Sequence, residues 1–191
     1  AVGQAYASGG LQKEQAQRLL GYCSNVGPAF LFGIVAGAFE DPLIGWQLWG
    51  FQILGALVTA WLLPGSPGDV APYERKTQRD LLTLTVLTMG KICVTVVLFR
   101  VVLCYGAKYL PVEGTAGVLL GGLLELTNGC CSLKEVPAML RKSVAGGLMA
   151  LGGVCVLSQT KEVAEGLCLK YYFVGKGIQA LVCILGGFLK F

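Results

Sequence analysis

Apolar runs of unequal length, cut by short polar clusters, set the pattern of this chain. Leu43 to Leu63 is the clearest of them. Its 21 residues would cover about 31 Å as a helix, the thickness of a bilayer core. Trp46 and Trp49 stand near one end and Trp61 near the other, as aromatic residues do at the two interfaces. Leu81 to Tyr105 predicts a second full span, carrying Lys91 and Arg100. Other runs are only half as long. Ala29 to Phe39 would cross about half of a ~30 Å core before Glu40-Asp41-Pro42 ends it. Val112 to Leu126 and Ser143 to Leu157 are likewise short, and Tyr171 to Phe191 predicts a final span with Lys176 and Gln179 on one side.

Where the runs stop, the residues are helix breakers. Cys23-Ser24-Asn25-Val26-Gly27-Pro28 interrupts one helical pattern, and Pro28 suits the first turn of the next. Glu125-Leu126-Thr127-Asn128-Gly129 sets a carboxylate against three residues that favour turns and caps. Gly114, Gly117, Gly121 and Glu125 recur on one narrow helical stripe, so Glu125 is expected on a packed face. Ser158-Gln159-Thr160 reads either as the polar tip of a re-entrant hairpin, with 161 to 170 returning, or as a surface loop. Two segments, 8 to 22 and 133 to 142, are amphipathic and too polar to span, and are expected at the interface.

Composition agrees with a membrane solvent. The chain is 54% hydrophobic and 14% charged, with a mean hydropathy of +0.67, whereas soluble domains carry about 25% charged residues. Its 28 glycines are about twice the usual share and suit close helix packing. The net charge of +4 is dispersed rather than clustered, which argues against a nucleic-acid partner. Histidine is absent, which removes Ser-His pairs and HExxH metal sites. The eight cysteines form no CxxC pair, so neither a metal site nor a cofactor is indicated, no catalytic residues are assigned, and the protein is not read as an enzyme.

The fold expected is all-α: a polytopic transmembrane protein with broken or re-entrant half-helices in two successive units. Residues 1–63 would end a first repeat, 64–80 would form a polar loop whose Arg75, Lys76 and Arg79 place it in the cytoplasm, and 81–191 would form a second repeat. The chain opens at Ala1 in mid-pattern and is read as the C-terminal part of a longer protein, whose N-terminal half would be a partner.

Three separated motifs, in this order, carry a resemblance. They are Lys13-Glu14-x-Ala16-x-Arg18-Leu19-Leu20 with Ser24-Asn25-x-Gly27-Pro28-Ala29-Phe30, then Leu124-Glu125-Leu126-Thr127-Asn128-Gly129, then Gly152-Gly153-Val154-x-Val156-x-x-Gln159. Together they resemble the YlbJ-type sporulation integral membrane proteins. These are grouped with the Gate or "nucleoside recognition" domain proteins, similar in pattern to concentrative nucleoside transporters and the ferrous-iron permease core. The family pattern would carry a histidine about two residues before Gln159, and this chain has none. The resemblance implies a multi-pass protein of the cell membrane in Gram-positive endospore formation.

Two functions follow as expectations. In the first, a small solute or ion crosses the bilayer through a midplane site drawn from Ser24, Asn25, Gly27, Pro28, Lys91, Glu125, Thr127, Asn128, Gly129, Ser158 and Gln159. Lys91 lies near mid-span and either faces protein, where it would pair with Glu125, or snorkels to the interface. In the second, the protein is a non-transporting scaffold or assembly factor of the spore envelope, and its breaks are packing devices. The oligomeric state is left open, a homo-oligomer included. Convergence of the breaks on one polar cavity is the observation that separates the two functions.

Overall fold

The computed structural model describes residues 2–7, 9–63, 78–109, 112–164 and 166–189. Most of the 64–80 loop expected from the sequence therefore lies outside the described residues. The described chain is helical, with no strand. Among the described residues, five segments are long and apolar enough to cross a membrane: Lys13–Ala38, Leu43–Leu62, Thr85–Tyr109, Ala138–Glu162 and Lys170–Phe188. It is an all-α, multi-pass membrane protein.

The chain begins with a short helix α1 (Val2–Ala7) and then α2 (Lys13–Cys23). An extended stretch at 24–27 separates α2 from a half-helix over 28–38, made of α3 (Pro28–Phe30), a π turn (Leu31–Val35) and a 3-10 turn (Ala36–Ala38). Proline at its first position lacks the N–H that would be left unpaired there. The span α4 (Leu43–Leu62) follows, and just before it Asp41 Oδ1 accepts the Leu43 N–H at 2.9 Å. Next come α5 (Gln78–Tyr109), α6 (Gly114–Leu124), α7 (Leu126–Cys131), a 3-10 turn (Leu133–Glu135), α8 (Ala138–Leu151), α9 (Gly153–Val163) and α10 (Lys170–Phe188).

The central helix is α10, which packs on α8, α4 and α2. Small residues set the spacing. Gly175 of α10 lies directly against the Gly21 carbonyl of α2, where no side chain would fit. An apolar core of Leu31, Val35, Leu48, Val118, Leu126, Leu133, Leu148 and Met149 joins the 28–38 half-helix to α4, α6, α7 and α8. The periphery belongs to α5, which touches α9 and α6 and has none of its apolar window buried.

The order short helix, longer helix, break, half-helix, span occurs twice: α1, α2, 24–27, 28–38, α4, and again α7, α8, 152–153, α9, α10. In both units a cation of the helix before the break closes the far end of the last span. Arg18 Nε donates to the Leu63 carbonyl at 2.9 Å, and Lys142 Nζ to the Leu189 carbonyl at 2.6 Å. Unpaired carbonyls at a helix end attract such donors.

Three expectations need correction. Residues 158–160 are not a hairpin tip but lie within α9, where the Ser158 and Thr160 hydroxyls donate to the Cys155 and Val156 carbonyls at 2.7 and 2.8 Å. The second break is earlier, at Gly152 and Gly153, with φ of +76° and +75°, values that favour glycine. Segment 8–22, expected as an interfacial helix too polar to span and leading into the membrane, instead contributes α2 to the candidate span Lys13–Ala38, with Ala16, Gln17, Leu20 and Gly21 buried and α2 packed along α10. Segment 133–142 likewise divides, Pro137 ending the polar turn so that Arg141 and Lys142 open the span of α8.

Candidate functional site

At Glu125 the chain turns back on itself. The 11-residue α6 is too short to span, covering about 16 Å. Residue 125 is extended, and α7 then packs against α6 with Gly129 seated on Gly122. Neither glycine has room for a methyl group, which is why the hairpin can close so tightly. The Glu125 carboxylate caps α7: Oε1 accepts the Thr127 N–H at 2.9 Å and Oε2 the Asn128 N–H at 2.7 Å. This is the geometry of an N-cap, and the anion also complements the positive end of the short helix. Glu125 is 4% exposed.

The hairpin tip opens onto a cavity of about 250 Å³. Its polar lining comes from Ser24, Asn25 and Gly27 of the first break, Glu125 and Thr127 of the tip, Gln159 of α9 and Lys176 of α10. Gly152 of the second break and Cys155 also line it, and Phe30, Ile92, Val96, Leu126, Met149 and Val156 supply apolar walls. Gln159 Nε2 rests 3.5 Å from Cys155 Sγ. The cavity therefore presents one carboxylate, one ammonium, two carboxamides and two hydroxyls, in a mostly apolar enclosure.

Five residues expected at the site are elsewhere. Pro28 is exposed at the start of the half-helix. Asn128 and Gly129 hold the hairpin together instead of lining the cavity, the Asn128 side chain lying against Gly121. Ser158 is bonded back to its own helix. Lys91 does not face Glu125: its Nζ lies 3.8 Å from Glu162 Oε2, and both groups are largely exposed. Because α9 stays helical through 162, it carries Glu162 to the face of α5 that holds Lys91.

The cation of the cavity is Lys176, which is 4% exposed. Its Nζ donates to the Ser24 carbonyl and sits 5.7 Å from the centre of the Tyr172 ring. Lys176 and Gln179, one helical turn apart in the middle of an apolar span, were a visible signal for this position. The sequence does not show which break they meet. The Tyr172 hydroxyl is buried beside Thr160 and Ser24 without a well-formed hydrogen bond.

Two further cavities flank the first break. One, of about 300 Å³, shares Ser24, Val156 and Gln159 with the central cavity. The other, of about 220 Å³, shares Asn25 and Val26, and Gln52 of α4 lines it. Gln52 is 2% exposed, and among the described residues neither of its amide atoms has a partner. A lone polar side chain in mid-span gives no sequence signal of such a cavity.

Compared with known family models, curated proteins and solved structures, the chain matches none.

Proposed function

We propose that this protein is a Gate-type transporter of the cell membrane that moves a small solute or ion through the cavity at the hairpin tip. One observation supports this reading above the others. Two helix breaks and the tip of the α6–α7 hairpin, far apart in sequence, meet at one cavity, mostly apolar, to which they bring their polar groups. Backbone groups freed by broken helices must be satisfied by protein, water or ligand inside a bilayer, and transporters use such positions as binding sites. The two flanking cavities, which share lining residues with the central one, fit a route past the first break. The role in endospore formation in a Gram-positive bacterium is supported by the motif resemblance. The scaffold reading draws on the side-chain-free contacts of Gly21 with Gly175 and Gly122 with Gly129. Those contacts lie beside the cavity and do not fill it.

Ligand-dependent thermal stabilisation tests the proposal. Purified protein in lipid nanodiscs is screened against nucleosides, organic acids and metal ions, alongside Gln159→Leu. At least one compound should raise the melting temperature of the native protein and lose that effect in the variant. A screen with no stabilising compound, together with normal sporulation of a Gln159→Leu strain, would favour the scaffold.

A further inference from the structure

A helix that stops inside a membrane leaves carbonyls without partners, and α2 stops at Cys23 with Ser24 as its cap. Each of the four carbonyls at this end has a partner. Gly21 O accepts from Gln179 Nε2 at 2.8 Å. Tyr22 O accepts from Asn25 Nδ2 at 2.7 Å, and Cys23 O from the Asn25 N–H at 3.1 Å. Ser24 O accepts from the Lys176 ammonium. Three of these donors are neutral, and the fourth carries a full charge.

That charge is held as a bound cation would be. A carbonyl at the negative end of a helix takes one side and the face of Tyr172 another, while Glu125 lines the same cavity. Among the described residues Lys176 forms no ion pair. Broken-helix carbonyls in transporters hold a coupling sodium ion or proton. We propose that the Lys176 ammonium is a tethered cation filling a monovalent-cation site at the broken end of α2. Its functional meaning rests on the transport reading above, whereas the occupancy concerns the end of α2 alone. The native protein then needs no metal ion at this place. Shortening the side chain opens a pocket of carbonyl and aromatic groups in the cavity that Glu125 also lines, which a free sodium, potassium or ammonium ion can enter.

The test is thermal unfolding of the full chain in nanodiscs at constant chloride, in sodium, potassium, ammonium or N-methylglucamine. The native protein and Lys176→Arg, which keeps a fixed charge, should melt at the same temperature in all four. Lys176→Ala should melt lower in N-methylglucamine. It should regain roughly 3 °C or more in at least one small cation at about ten times its Kd. Should Lys176→Ala not fold, Lys176→Gln is read by the same criteria. Sodium- or potassium-specific stabilisation of the native protein would overturn the proposal, as would a folded Lys176→Ala or Lys176→Gln indifferent to every cation. If transport alone is wrong, the cation pattern persists while no solute stabilises the native protein. If the tethered cation alone is wrong, solute stabilisation persists without the pattern.

Discussion

Replacing Glu125 separates the cap it makes for α7 from the charge it presents to the cavity. The carboxylate accepts two backbone N–H groups at 2.9 and 2.7 Å, and its own side chain is 4% exposed. Hydrogen bonds to a charged group contribute about 1.5–3 kcal/mol each, whereas measured losses of an N-cap are about 0.5–2 kcal/mol in total. Glu125→Ala removes both acceptors and leaves two part-buried donors unpaired, so a cost of roughly 2–4 kcal/mol is expected. For a chain of this size that lowers the melting temperature by roughly 5–15 °C. Glu125→Gln keeps one acceptor and should lose about half as much. Glu125→Asp, a favoured cap residue, should stay within about 1 kcal/mol of the native protein while drawing the charge back from the cavity. Thermal unfolding in nanodiscs, with amide hydrogen exchange at Thr127 and Asn128, provides the assay. Native stability and native exchange in Glu125→Ala would refute the capping role. A Glu125→Asp protein that is stable but unresponsive to a stabilising solute would assign the carboxylate's position to binding.

Two other substitutions test the packing and the corrected ion pair. Gly175→Ala should destabilise by about 1–3 kcal/mol, because the added carbon meets the Gly21 backbone, while Gly177→Ala, with open space around it, should be neutral or gain up to about 1 kcal/mol of helix propensity. Melting temperatures compared side by side decide this, and equal losses at both positions would refute the close contact. Lys91→Glu should cost under about 1 kcal/mol and be rescued by Glu162→Lys rather than by Glu125→Lys. Rescue by Glu125→Lys instead would mean that α5 sits elsewhere.

Much of this architecture was legible along the chain because the bilayer is an undemanding reader of composition. Helix length against hydrocarbon thickness needs only a count of apolar residues, and that count separates α4 and α10 from the half-length pieces. Breaks were legible where the chemistry is local. Ser24 to Pro28 and Glu125 to Gly129 contain their own turn and cap residues, so no distant contact is needed to stop the helix there. Ser158 to Thr160 misled for an equally local reason. Hydroxyls that look like loop residues can bond the carbonyl three or four positions back and stay helical, as Ser158 and Thr160 do. The real second break, at two glycines inside an apolar run, has no polar mark.

The choice of partners was the part that only tertiary structure decided. Sequence alone determined that Glu125 ends a helix inside an apolar environment, and that Lys91 and Lys176 are cations within spans. It did not determine which cation reaches the broken helices. That depends on how helices separated by long stretches of chain rotate and slide against one another, and here glycines at the contacts decide it. Gly21 against Gly175 brings α2 and α10 close enough for Lys176 and Gln179 to take the last carbonyls of α2. Gly122 against Gly129 turns Glu125 inward to the same cavity, while α5 stays at the edge and leaves Lys91 to Glu162. Periodicity and length are properties of a single segment and survive in one dimension. A site made where three interrupted segments meet is a property of their packing, and no one segment contains it.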